Sequence, residues 1–331
     1  MTDVGVSAES RRLPFTFRAK GGAGRLLLSR QAIGPYLDLE RLELELAQVS
    51  VEEPDDAPAE RFQRRRTQLG KLTLRVGQDA LRLRIDATRR QLAALGISQV
   101  QARFCDGFVS IRARVADGLA VADLSFRALV ATSGALLRVM AGGIRVHGHL
   151  PVPGPLLADR VLSALLGASD AEGERRATPR GLGDLEVDLV GNLLWQLLPP
   201  HGWRLPKTTG IELTSLRIAR SGIEISYAPL GARAEAGVGI GAAAIQLAAA
   251  HELMRTADEL LRDGQIEDAM RGYRSLLASG GPDQPVVLGR LLALAITRSS
   301  WFYDGVELAR QALARWFPRS ANSSASSSKA R

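Results

Sequence analysis

The chain of 331 residues has a single cysteine, Cys105, so it holds no disulfide framework and no cysteine-rich zinc site. Its 4 histidines leave little material for a metal centre. Aromatic residues make up 5%, which is poor for a single-stranded nucleic-acid surface, where bases need rings to stack on. Long apolar runs are missing as well. Leu26, Leu27 and Leu28 are too few for the core of a secretory signal, which needs about 7–15 apolar residues. The mostly apolar, uncharged stretch 236–250 falls short of the roughly 18 residues that suggest a membrane span. It is rich in glycine and alanine and reads as a loop entering a helix. A soluble, cytoplasmic chain is expected.

Catalytic signatures are absent too. The chain has no G-x-S-x-G elbow, no P-loop and no Rossmann glycine fingerprint. The glycines Gly237, Gly239 and Gly241 lead into an alanine-rich helix without a Lys-Ser/Thr pair, so they read as a linker. His147 and His149 share one face of a strand, but no third ligand is nearby and Pro151 and Pro153 soon end the strand. Cys105, just before the Asp106-Gly107 turn, reads as a small buried apolar residue. The carboxylate pairs Glu43/Glu45, Glu52/Glu53 and Asp55/Asp56 fall on a polar strand face or in a proline-containing loop, without a pocket to shift their pKa values apart. No enzyme, no metal and no cofactor are expected.

What the chain does have is aliphatic material and positive charge. Hydrophobic residues make up 46% and charged residues 24%, enough to bury the cores of two ordinary domains. Lys and Arg number 43 against 35 Asp and Glu, a net charge of +8 that admits an anionic partner. In the segment 52–71, acids are followed by Arg61, Arg64, Arg65 and Arg66. These four are candidates for contact with an anionic lipid surface, at about 1 kcal/mol per charge. The alternative is a solvated loop that neutralises itself. The arginines at Arg82, Arg84, Arg112 and Arg114 read as the wet face of strands, and no nucleic-acid partner is expected.

From about 38 to 228 the apolar pattern has period 2, the signal of half-buried strands. Leu42, Leu44 and Leu46 alternate with Glu43 and Glu45; Leu72, Leu74 and Val76 with Thr73 and Arg75; Val109, Ile111 and Val115 with Ser110, Arg112 and Arg114. After Gly77-Gln78-Asp79, read as a turn, Leu81, Leu83 and Ile85 alternate with Arg82 and Arg84 and predict another strand. Hairpins closing on Gly107 and Gly222 are expected, because glycine supplies the positive φ of such turns. Helices are expected at 87–95, 155–166 and 192–198, and a loop at 168–183.

From about 241 the period changes to 3.6, with Ile245, Ala248, Leu253, Ala257, Leu260 and Leu261 marking one helical face. The run from Leu261 through Gly264, Ala269, Tyr273 and Leu277 to Pro282 closely resembles a tetratricopeptide repeat. Gly264 matches the small residue where two helices cross closely, and Ala269, Tyr273 and Leu277 match packing positions. A degenerate second copy follows 36 positions later, with Gly305, Ala309, Leu313 and Pro318. Because about three such units are needed to bury a core, the pair is expected to dock on the β domain or on another chain.

The helix from Arg89 to Gly96, the strands around Phe104 and Phe108 with their Asp106-Gly107 turn, and the segments 118–126, 144–150, 155–166 and 211–227 together resemble the bacterial branch of the tubular lipid-binding superfamily. The resemblance spans about residues 30–230 and rests on a pattern of helix, strand, turn and strand. It implies a curved antiparallel sheet wrapping a helix around an apolar groove that holds an acyl chain or phospholipid. The expected lining is Leu72, Leu74, Leu81, Leu83, Val109, Ile111, Val146 and Ile223. The expected architecture is therefore α+β: an N-terminal segment 1–29, a β-rich domain 30–235, a helical domain 241–318 that contacts a protein partner, and a disordered serine-rich tail 319–331. The competing expectation is a scaffold whose β core is filled by its own side chains.

Overall fold

The alternation in the sequence becomes two open antiparallel sheets in a computed structural model of the chain. The structure describes residues 13–20, 23–33, 37–46, 58–117, 120–148, 154–167, 177–231, 241–279 and 284–297. Sheet A contains β1 (Thr16–Lys20), β2 (Ala23–Ile33), β3 (Leu37–Leu46), β4 (Thr67–Gly77), β11 (Ile211–Ala219) and β12 (Gly222–Pro229), in the order β1-β2-β3-β4-β12-β11. Sheet B contains β5 (Ile97–Cys105), β6 (Phe108–Asp117), β7 (Ala120–Ser133), β8 (Leu136–Gly148), β9 (Ala177–Gly181) and β10 (Asp184–Val187), in the order β5-β6-β7-β8-β10-β9. The helices are α1 (Gln78–Ala94), α2 (Gly154–Leu166), α3 (Leu189–Leu197), α4 (Ala242–Arg262), α5 (Ile266–Ala278) and α6 (Gln284–Thr297). The class is α+β, as expected. Among the described residues no helix is long and apolar enough to cross a membrane.

The chain leaves sheet A after β4, runs through α1, builds sheet B, and returns through α3 to β11 and β12. β12 then pairs with β4, placing Leu72 opposite Tyr227 and Leu74 opposite Ile225. Sheet A buries its leucines in a core that also takes Val190, Leu193, Leu194 and Leu197 of α3, and Phe104, Val130 and Leu137 of sheet B. α3 thus lays its apolar stripe on the same core as sheet A. Asp188 caps it, its side chain accepting the Gly191 N–H at 2.8 Å.

Several expectations need correction. Sheet A begins at Thr16 and not near residue 30, since Leu26 and Leu28 stand opposite Leu44 and Leu42 and are fully buried. The expected loop 168–183 contains β9 and the turn into β10, while 168–176 lie outside the described residues.

The largest correction concerns 78–86, read as a turn and a strand, which with the expected helix at 87–95 forms one helix, α1. Leu81, Ile85, Thr88 and Leu92 recur at helical spacing, with Thr88 and Leu92 fully buried, whereas Leu83 is 46% exposed. Three apolar residues at i, i+2 and i+4 satisfied the strand template, but the longer stripe belongs to a helix. The many Arg, Gln, Leu and Ala residues, none branched at Cβ, favour that choice.

A second compact unit contains, among the described residues, 154–155, 246–279 and 284–297. In it Met254 and Ala257 of α4, Ala269, Met270, Tyr273 and Leu276 of α5, and Val287 and Leu291 of α6 share one core. Ala269 and Tyr273 are fully buried, as their sequence positions predicted. The buried stripe of α4 is Ala244, Leu247, His251, Met254 and Ala257, so Ile245 and Leu253, expected inside, are exposed. Gly264 is not the close-crossing residue. Its φ of +78° closes α4, with Gly264 N–H donating to Leu261 and Gln265 N–H to Leu260, and an added Cβ would meet nothing. The close approach lies at Gly272, where a Cβ would come within 3.1 Å of the Ala257 Cβ. The second repeat copy, with Gly305, Ala309, Leu313 and Pro318, and the tail 319–331 lie outside the described residues.

Candidate functional site

β5 is an edge strand of sheet B, with unpaired backbone groups along one side. α1 runs beside that edge and covers part of it through one residue. Gln78 donates from Nε2 to the Ala102 carbonyl at 2.9 Å and accepts the Phe104 N–H on Oε1 at 3.0 Å. The amide side chain thus substitutes for a neighbouring strand. The gap between α1 and the β5–β6 hairpin is a cleft of about 780 Å³, in the size range of small-molecule sites.

Two kinds of wall meet there. Arg82 from α1, Arg103 from β5, Arg112 from β6 and Arg220 from the β11–β12 turn supply positive charge, against one lining carboxylate, Asp86. Half-buried Ile85 and Val100 supply apolar surface, with Ala102 and Phe104 buried beneath, and Cys105, half-buried, completes one side. Arg82 lies 3.3 Å from Asp79, and Arg220 lies 3.4 Å from Asp106. Both pairs are largely exposed and hold their arginines only weakly. Asp86 is engaged by Arg89 at 3.2 Å. Among the described residues, Arg103 and Arg112 make no ion pair. An anionic group entering the cleft therefore meets four guanidiniums of which two are uncommitted and two weakly held. Guanidinium presents paired N–H donors that match a carboxylate or phosphate.

None of the eight residues expected to line an apolar groove borders this cleft. Leu72, Leu74 and Ile223 are buried in the sheet A core, with Leu81 and Val109 packed against it. Ile111 is buried on sheet B, Val146 is half-buried on β8, and Leu83 projects from α1. Arg61, Arg64, Arg65 and Arg66 are exposed around the 3-10 helix Ala59–Phe62, with Arg65 stacked 5.4 Å from the Phe62 ring centroid. The acids Glu52, Glu53, Asp55 and Asp56 that precede them lie outside the described residues. His147 is exposed on β8, and His149 lies outside the described residues. Among the described residues no group of His, Cys, Asp or Glu could hold a metal ion.

Sequence reasoning missed the cleft for one reason. Arg82 and Ile85 reach it only because 78–94 is a helix, and Arg103 faces it only from an edge strand. The usable signal was Gln78, a side chain able to pair both ways, at the start of an arginine-rich helix that leads into a strand. Compared with protein-family models, curated proteins and solved structures, the chain matches none.

Proposed function

We propose that the protein is a non-enzymatic binding protein, acting in the cytoplasm, that holds an anionic amphiphile such as a fatty acid or lysophospholipid. The observation that carries this reading is the mixed lining of the cleft, where four arginines meet the half-buried apolar side chains of Ile85 and Val100. The headgroup would lie between Arg103 and Arg112, and the first part of the acyl chain against Ile85 and Val100. Apolar contact contributes about 25 cal/mol per Å² buried, so the chain supplies affinity and the arginines supply charge selectivity.

A second reading rests on a different observation. The apolar stripe of α3 occupies the sheet A core, so that part of the β unit is filled by its own side chains. In that case the protein is an interaction scaffold, and the helical unit, where Leu253 stands 51% exposed on α4, meets a protein partner.

Cys105 separates the two. It lines the cleft, and it is the chain's single thiol. Oleate is expected to slow its alkylation, while oleyl alcohol and inorganic phosphate are not. A thiol that reacts equally fast with and without oleate would favour the scaffold.

A further inference from the structure

The outward faces of the two sheets are built differently. On sheet A, most charges stand opposite a counterpart: Arg25 opposite Glu45, Asp38 opposite Arg75, the buried Glu43 opposite Lys71, and Glu224 between Arg75 and Arg217, whereas Arg18 stands opposite Arg25. Glu43 accepts from Arg25 at 3.2 Å and from Arg41 at 2.8 Å. That face neutralises most of its charge.

On sheet B, arginines stand opposite serines. Arg103 and Arg127 flank Ser110, Arg112 and Arg145 flank Ser125, and Arg114 lies between Ser98 and Asp123. All five arginines are exposed, and among the described residues none makes an ion pair. Arg127 is held outward over the Phe108 ring, 4.9 Å from its centroid. Serine spacers keep like charges from standing directly opposite, where they destabilise a sheet. From strand spacing and rise, neighbouring arginines on the diagonal sit about 8 Å apart, roughly one Debye length at physiological salt. The cations therefore repel one another, and the fold gains nothing from them until an anionic surface arrives.

Among the described residues the face offers one small exposed ring, His147 opposite Asp123, while Phe108 is half-buried beneath Arg127, so there is little on which bases could stack. Val121, 44% exposed, extends the β7 row with an apolar side chain. A broad array of guanidiniums with an apolar margin fits a plane of phosphate headgroups. We propose that the outward face of sheet B docks on an anionic phospholipid bilayer. Arg103 and Arg112 belong to both the face and the cleft, so the cleft opens where the bilayer lies. The inference extends the cleft reading by naming the source of the amphiphile, and the docking itself stands on the face alone.

The test is sedimentation of the full chain with phosphatidylcholine vesicles, with and without phosphatidylglycerol. Binding is expected only with phosphatidylglycerol and is lost as salt rises. The triple variant Arg114→Ser, Arg127→Ser, Arg145→Ser, which spares the cleft, is expected to bind about 100-fold more weakly, at roughly fivefold per charge. The same three positions changed to lysine keep binding, which rules out misfolding as the cause of the serine result. A control triple on sheet A, Lys71→Ser, Arg75→Ser and Arg217→Ser, removes equal charge and stays within a few-fold of the parent. Equal binding to neutral vesicles, equal losses in the two serine triples, or displacement from vesicles by duplex RNA would each overturn the proposal. Protection of Cys105 by oleate, measured without vesicles, is unchanged in the sheet B serine triple, so failure of the cleft and failure of the face give different results.

Discussion

Arg138 and Asp184 show how a single side chain can matter without touching the site. The two lie on neighbouring strands of sheet B and are almost fully buried. The guanidinium grips the carboxylate in a fork, from Nε at 2.9 Å and 3.1 Å and from Nη2 at 2.5 Å. Removing one partner strands a buried charge, so Arg138→Ala is expected to lower stability by about 3–5 kcal/mol in urea denaturation. Replacing both, with Arg138→Met and Asp184→Leu, is expected to recover most of that loss, because apolar packing removes both desolvation costs. In the helical unit, the buried Tyr273 hydroxyl donates to Asp258, which also accepts from Arg290. Burial first, then the bond to Asp258, pushes the Tyr273 hydroxyl from 10.0 up to about 12. The folded state therefore holds a proton that the unfolded chain has lost between those values, and the stabilisation present below pH 10 disappears as pH rises through 12. Thermal melts should show this fall, and Tyr273→Phe should flatten it. Residue-scale features were legible unevenly. The glycines of the hairpin turns, Gly107 and Gly222, have the positive φ their spacing predicted. The Arg138–Asp184 pair joins positions 46 residues apart, and no local pattern announces it.

At the scale of elements, α1 decides whether a cleft exists. Its sequence satisfies two periods at once, because Leu81, Leu83 and Ile85 also alternate. Only the continuation through Thr88 and Leu92 separates helix from strand. The Leu42–Leu46, Leu72–Val76 and Val109–Val115 strands were legible because each buries one face and wets the other. β1 and β2 were less so: they earn their place through pairing with β3, which a period count does not reveal. On α4 the actual stripe shares Ala257 with the expected one, and Leu260 and Leu261 pack against it, but Ala244, Leu247, His251 and Met254 are inward in place of Ile245, Ala248 and Leu253. A polar histidine and an alanine carry less apolar signal than the exposed Ile245 and Leu253. Gln78 is the joint between α1 and β5, and Gln78→Ala removes a partner from two backbone groups. A stability loss of about 1–3 kcal/mol is expected. Hydrogen exchange gives the more specific check: the Phe104 amide should lose protection while the amides within the β6–β7 ladder keep theirs.

At the scale of the whole molecule, the net charge of +8 is better understood by where it lies than by its size. Sheet A matches most of its charges in pairs, apart from Arg18 opposite Arg25, whereas sheet B leaves five arginines opposite serines and one aspartate. The cleft takes two of those five and adds Arg82 and Arg220. The alternation of the strands foretold that these arginines would be exposed, but not that they would be unpaired. Pairing depends on which strands become neighbours, and those partners are set by topology. The central claim is that this cleft binds an anionic amphiphile, and the alkylation rate of Cys105 tests it most directly. Saturating oleate is expected to slow modification at least about tenfold in the parent chain, and much less in the double variant Arg103→Ala, Arg112→Ala, which loses two charge-assisted contacts. A Cys105 rate that oleate leaves unchanged in the parent, or slows equally in the double variant, would contradict it.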